Sequence, residues 1–203
     1  EAARRGEQPD ELQRDVHMQP ARRAERRLEP HSDARARRQQ HPPAEQHAHS
    51  RALAAALTHH GFGLGDTVSI IAANTPEMYE AHFGVPMAGC VLNTINTRLE
   101  AETIAYILAD SDSRLLIADT AFRDTVLTAL DILDHDIQII DIRDAALGDL
   151  PALGKMDYES FIAAGAPDYD WQLPQDEWQA LTLSYTSGTS GRPKGVVYHH
   201  RGS

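Results

Sequence analysis

The 203-residue chain has one cysteine, Cys90. That excludes an intramolecular disulfide and a cysteine-built zinc site, and it fits a reducing, cytoplasmic setting. No apolar run approaches the roughly 18 residues of a membrane-spanning helix. Neither an initiator Met nor a signal-peptide pattern opens the sequence, so it reads as a piece of a longer protein. Positive charge is scarce: Lys+Arg 19 against Asp+Glu 30 gives a net charge of −11. A nucleic-acid surface built on bulk positive charge is therefore disfavoured.

The averages hide a break near Ser50. Residues 1–50 contain 10 Arg, 9 Asp+Glu, 5 His and 5 Pro but no Phe, Trp, Tyr, Ile or Lys. Eight of their 12 hydrophobic residues are Ala. Such a segment buries too little apolar surface to offset its ordering entropy, so disorder is expected over 1–50. Three origins are open. A basic interaction tail has weak electrostatics, because acids and bases nearly cancel. A transit peptide would be poor in acids. An out-of-frame stretch from a GC-rich gene would account for abundant Arg, Ala and Pro beside absent Lys and aromatics. Reading the coding DNA upstream of Arg51 in the other two frames separates them.

From Arg51 the pattern becomes that of an α/β protein. Leu53 and Leu57 mark a helix over 51–60 that stops at Gly61. Residues 67–73 form a β-rich run. Thr75 then caps a helix with Pro76 at its first position, with Met78, Tyr79, His82 and Phe83 on one side and a stop at Pro86 and Gly89. Residues 91–95, 115–117 and 137–142 read as strands, and the segments around Ile104–Leu108 and Phe122–Leu130 as helices. This alternation implies βαβ units and a mostly parallel sheet. Residues 143–179 look irregular. Trp171 and Trp178 read as packing residues, and the acidic run from Asp141 to Asp149 as solvated surface. Strands resume at 181–185 and 196–198.

Between those last strands lies Tyr185-Thr-Ser-Gly-Thr-Ser-Gly-Arg-Pro-Lys-Gly195. Gly188, Gly191 and Gly195 permit dihedrals that let successive N–H groups face one oxyanion. Thr186, Ser187, Thr189 and Ser190 add hydroxyls, Arg192 and Lys194 add positive charge, and Pro193 stiffens the exit. A polyphosphate is the natural ligand. The bland alternative, a solvated Gly/Ser linker, fits poorly between two apolar strands. A Walker loop needs Gly-Lys-Ser/Thr opening a helix, and this segment leads into Val196-Val197 instead.

Tyr185–Gly195 resembles the phosphate-loop signature of the adenylate-forming superfamily, with Ser190 where Thr is usual. The resemblance covers roughly 51–203 and includes Asn74-Thr-Pro-Glu77. Residues 81–89, 92–99 and 196–202 resemble short- and medium-chain acyl-CoA synthetases of the methylmercaptopropionate–CoA ligase type. The resemblance implies the N-terminal part of a large α/β adenylation domain. It also implies an ATP-dependent, AMP-forming acid–CoA ligase acting on a small carboxylic acid, with ATP, Mg²⁺ and coenzyme A taking part. Thr186, Ser187, Gly188, Thr189, Ser190, Gly191, Arg192, Pro193 and Lys194 would then hold the ATP phosphates. Lys194 would stabilise the transition state, and the Thr186 hydroxyl would lie near Mg²⁺. The base-binding residues and the C-terminal small domain would follow Ser203, so no turnover is expected from this chain alone. An adenylation domain loading a carrier-protein thiol and a non-catalytic remnant of a damaged gene are the alternatives. Cys90 reads as a packing residue, His59 and His60 as helix-end complements, and His199 and His200 as too divergent in direction to share a metal.

Overall fold

The computed structural model describes residues 43–144, 148, 150–166, 168–171, 173–186 and 191–202. In chain order the elements are α1 (Pro43–His59), β1 (Thr67–Ile71), α2 (Pro76–Met87), β2 (Val91–Thr94) and α3 (Ala101–Asp110). Then come β3 (Ser113–Asp119), α4 (Arg123–Ile132), β4 (Gln138–Ile142), β5 (Met156–Asp157), α5 (Tyr158–Ala163), β6 (Ala180–Thr186) and β7 (Lys194–His199). The strands form one seven-stranded sheet in the order β5-β4-β3-β1-β2-β6-β7, parallel except for the antiparallel β6–β7 hairpin.

Strand alternation builds two cores. Val68 and Ile70 of β1 with Leu115 and Ile117 of β3 face α1, α2 and α5. Ile71, Leu116 and Ala118 point to the other face, under α3 and α4. With both faces covered, the central strands read as apolar runs, as parallel strands do. β1 leads to a helix on one face and β2 to a helix on the other. The carboxyl ends of these neighbouring strands are the usual ligand position of such sheets.

Helix α1 begins at Pro43, eight residues before the expected start at Arg51, so residues 43–50 are helical rather than disordered. Ser50 is buried and donates its hydroxyl to the Gln46 carbonyl at 2.8 Å. Composition misleads there because a helix that meets its neighbour closely needs small side chains, not large apolar ones. The expectation for residues 1–42 lies outside the described residues.

The same close contact reverses the expected face of α2. Glu77, Glu80, Ala81, Gly84 and Val85 are buried, while Tyr79 and Phe83 are 47% and 46% exposed. A Cβ on Gly84 would lie 2.6 Å from the Ser50 carbonyl oxygen and 2.8 Å from Leu53 Cδ2, so the interface selects residue size. Glu80 is tolerated inside because it is partnered: the Tyr158 hydroxyl donates to it at 2.8 Å, and His49 Nδ1 lies 3.0 Å away. Pro86 sits within the helix, which runs on to Met87.

The stretch read as irregular contains β5 and α5. Asp157 caps α5, accepting from the Ser160 N–H at 2.9 Å. Asp141 is fully buried, not solvated, and accepts from the N–H groups of Leu153 at 3.0 Å and Gly154 at 2.8 Å. Trp171 and Trp178 are 37% and 65% exposed, so neither is a core residue.

The α1–α2–α5 junction generates two stability predictions. Gly84→Ala would ordinarily favour a helix by about 1 kcal/mol. Here overpacking should outweigh that and destabilise by about 1–2 kcal/mol in urea unfolding. Burial pushes the Glu80 carboxyl above its ordinary 4.5, outweighing the lowering pull of Tyr158 and His49. A folded-state value above the unfolded one means stability is greatest below 4.5 and falls as pH rises through the raised value. Relative to Glu80→Gln, the wild type should therefore lose stability as pH rises above 4.5; a flat difference would contradict the assignment.

Candidate phosphate-binding site

The β6–β7 hairpin delivers the Gly-rich segment to the carboxyl edge of the sheet. β6 is parallel to β2 through Leu92↔Thr182 and Asn93↔Leu183, so its carboxyl end emerges beside those of β1 and β2. The antiparallel register pairs Thr186 with Lys194 and Tyr185 with Gly195. The two residues expected to act together thus stand directly opposite each other at the hairpin mouth, both exposed. Lys194 belongs to β7 and not to the loop, so its backbone is fixed by sheet hydrogen bonding. Ser187, Gly188, Thr189 and Ser190 lie outside the described residues.

The glycines differ in role. Gly191 has a φ of +102°, the left-handed region where a side chain is strained. Gly195 is needed for space. A Cβ there would lie 3.0 Å from Leu183 Cδ1 and 3.3 Å from Tyr185 Cζ, so its absence lets the Tyr185 ring lie across the neighbouring strand.

That ring leads to residues sequence reasoning missed. The Tyr185 hydroxyl donates to Asp110 Oδ2 at 2.7 Å, and the Tyr106 hydroxyl donates to Asp110 Oδ1 at 3.2 Å. The Arg192 guanidinium carbon lies 5.4 Å from the centroid of the Tyr106 ring. Tyr106 and Asp110 are four residues apart on α3, a spacing that puts them on one face, and this was the one available signal.

Other candidates are not gathered here. His199 pairs with Ala180 at the opposite end of the hairpin, about 17 Å along the strand from Lys194. Its ring packs 4.6 Å from that of Trp178. His200 lines a cavity of about 330 Å³ with His82, Phe83, Trp171 and Leu181, at the amino end of β6. His60 stacks on Phe161 at 4.9 Å, with His59 edge-on to it. Among the described residues no three His, Cys, Asp or Glu side chains are grouped to hold a metal, and no helix is long and apolar enough to cross a membrane.

Cys90 is buried, and burial, helped by the Asp66 charge, pushes its thiol up to about 12. It is a packing residue. Iodoacetamide at pH 8 should leave it unmodified in the folded chain and alkylate it once urea is added; fast labelling of the native form would overturn this placement.

Known proteins share both the sequence pattern and the architecture. The family model described as "AMP-binding enzyme" matches residues 19–203. A peroxisomal acetate/butyrate–CoA ligase of Arabidopsis thaliana is 45% identical over 165 residues, covering 75% of this chain and 29% of that protein. An acetate–CoA ligase of Humulus lupulus is 43% identical over 165 residues, with the same coverage of 75% and 29%. The present chain thus spans about three-tenths of the length of these curated relatives. The crystal structure of an anthranilate CoA ligase with anthranoyl-AMP superposes with a TM-score of 0.69 at 24% identity, over 77% of this chain and 29% of that one. At that identity the likeness speaks for the fold alone.

Proposed function

We propose, on the premise that this chain belongs to the AMP-binding enzyme family, that the protein it forms is an ATP-dependent, AMP-forming acid–CoA ligase for a small carboxylic acid. The observation that carries the reading is the pairing of Thr186 with Lys194 across the mouth of a Gly-, Ser- and Thr-rich loop. It stands in a chain more than 40% identical to two acyl-CoA ligases. Those relatives are named for acetate and butyrate, so the acid proposed is short. The proposed setting is cytoplasmic, to be decided by imaging a fluorescent fusion, since the Arabidopsis relative is named as peroxisomal.

Carboxylates are poor acyl donors in water because oxide and hydroxide leave badly. In the proposed reaction the substrate carboxylate attacks the α-phosphorus of ATP, the bond to the pyrophosphate oxygen breaks, and an acyl-adenylate forms. The coenzyme A thiol then displaces AMP. The attacking carboxylate is already ionised, so the first half requires no general base. The chain's contribution is positioning and charge stabilisation. Thr186 through Gly191 would surround the β- and γ-phosphates with hydroxyl and N–H donors. Lys194 would add a charge from a backbone that the sheet holds still, and Arg192 a second one. Thr186 offers Mg²⁺ one neutral hydroxyl, a donor set that fits a cation held mainly by substrate phosphates and water. Bound there, the ion would neutralise polyphosphate charge.

Carboxylate-dependent ATP–pyrophosphate exchange on protein made from the complete gene, run from acetate to octanoate with a CoA thioester assay on each acid, tests the reading. Exchange with thioester formation is expected. Exchange without thioester would redirect the second step to a carrier-protein thiol, and no exchange with any acid would remove the ligase reading. Lys194→Ala should lower kcat/KM for ATP by about 10- to 150-fold, the loss of one charge-assisted contact of about 1.5–3 kcal/mol.

A further inference from the structure

We infer that Asp110 is a positioning residue for the phosphate-binding loop, acting through Tyr185 at the loop's entry and through Tyr106 and Arg192 at its exit. Each carboxylate oxygen of Asp110 takes one phenol: Oδ2 accepts from Tyr185 at 2.7 Å and Oδ1 from Tyr106 at 3.2 Å. Tyr185 is the residue immediately before Thr186, and Arg192 is two residues before Lys194. The side chains at both ends of the loop therefore converge on the last two turns of α3, an element that contributes nothing to the loop's own sequence.

The parts support one another. A phenol that donates to a carboxylate carries more electron density in its ring, which strengthens the attraction of that ring for a guanidinium 5.4 Å away. Asp110 thus orients Arg192 without forming an ion pair with it. Gly195 leaves the room that the Tyr185 ring needs to reach α3. Fixing both ends of a binding loop before its ligand arrives is preorganisation, so the effect should be felt in ATP affinity.

The activity arm of the test rests on the ligase reading; the amide-exchange arm does not. In the ATP–pyrophosphate assay, Asp110→Ala and Tyr185→Phe should each raise the KM for ATP about fivefold. The KM for the acid and kcat should stay within about twofold. The double variant should be no worse than Asp110→Ala alone, because Tyr185→Phe removes only a bond that Asp110→Ala has already removed. Asp110→Asn, which keeps one acceptor oxygen, should fall between Asp110→Ala and wild type. An unchanged ATP KM in Tyr185→Phe, which removes a single oxygen, would overturn the inference. So would a KM rise shared equally by ATP and acid with a lowered Tm, the mark of a merely structural role. In the 203-residue chain, amide hydrogen exchange at 191–195 should quicken about tenfold in Asp110→Ala; an unchanged rate would also overturn it. If the wild type shows no ATP–pyrophosphate exchange, the ligase reading fails while amide exchange still decides the role of Asp110.

Discussion

The pairing of β2 with β6 is the constraint on which the candidate site depends. The chain leaves the sheet at β5, on one outer edge, and returns as β6 on the far side, next to β2. Two register pairs, Leu92↔Thr182 and Asn93↔Leu183, fix where it returns. Because side chains alternate with a period of two, a one-residue slip would turn Tyr185 away from α3 and reverse the faces of the whole hairpin. The Tyr185–Asp110 hydrogen bond extends that registration past the last backbone pair. Loop position is therefore set by the parallel sheet, and the loop residues need only supply donors and charge.

Behind the sheet, α1, α2 and α5 obey a different rule. Their junction brings Gly84 against Ser50 and Leu53, with Glu80 joined to Tyr158 and His49 beside it. Size complementarity admits the small residues. Hydrogen bonding admits a carboxylate that burial would otherwise expel, since an unpaired buried polar group costs more than a paired one returns. The large apolar residues of α2, Tyr79 and Phe83, are left on the surface. Phe83 there joins His82 in the cavity at the amino end of β6.

The same division governs what could be read from the sequence. Strands β1, β3 and β4 were legible because two-sided burial leaves short runs of Val, Ile and Leu that neither a loop nor a half-exposed helix would carry. The candidate loop could be picked out because its glycines, hydroxyls and cations are local in sequence. The buried face of α2 was not, because packing by small residues inverts the hydrophobic pattern on which periodicity relies. Helix α5 was hidden between prolines and announces itself only through the cap at Asp157. Asp141 looked solvated as one of several acids, yet two backbone N–H groups 12 and 13 residues away hold it inside. The link from Asp110 to the loop was hidden for the same reason: its spacing from Tyr106 is local, but Tyr185 lies 75 residues further on, and local patterns carry no information at that range.

Charge gives the last instance of local geometry overriding a global sum. Residues 51–203 hold 21 Asp+Glu and 9 Lys+Arg, a balance that by itself would repel a polyanion. Much of the positive charge is committed elsewhere: Arg114 lies 2.6 Å from Asp66, Arg201 lies 2.8 Å from Glu177, and Arg51 donates to the Tyr169 carbonyl. Arg192 and Lys194 stand instead at the hairpin mouth, on either side of Pro193. At physiological salt the Debye length is about 8 Å, so exposed acids farther off are largely screened. What a phosphate bound as proposed would meet is the field of its nearest neighbours, and among the described residues those are two cations. The sign of the whole chain thus bears on association with a large polyelectrolyte, which averages over the surface, and hardly at all on a small polyphosphate held by one loop.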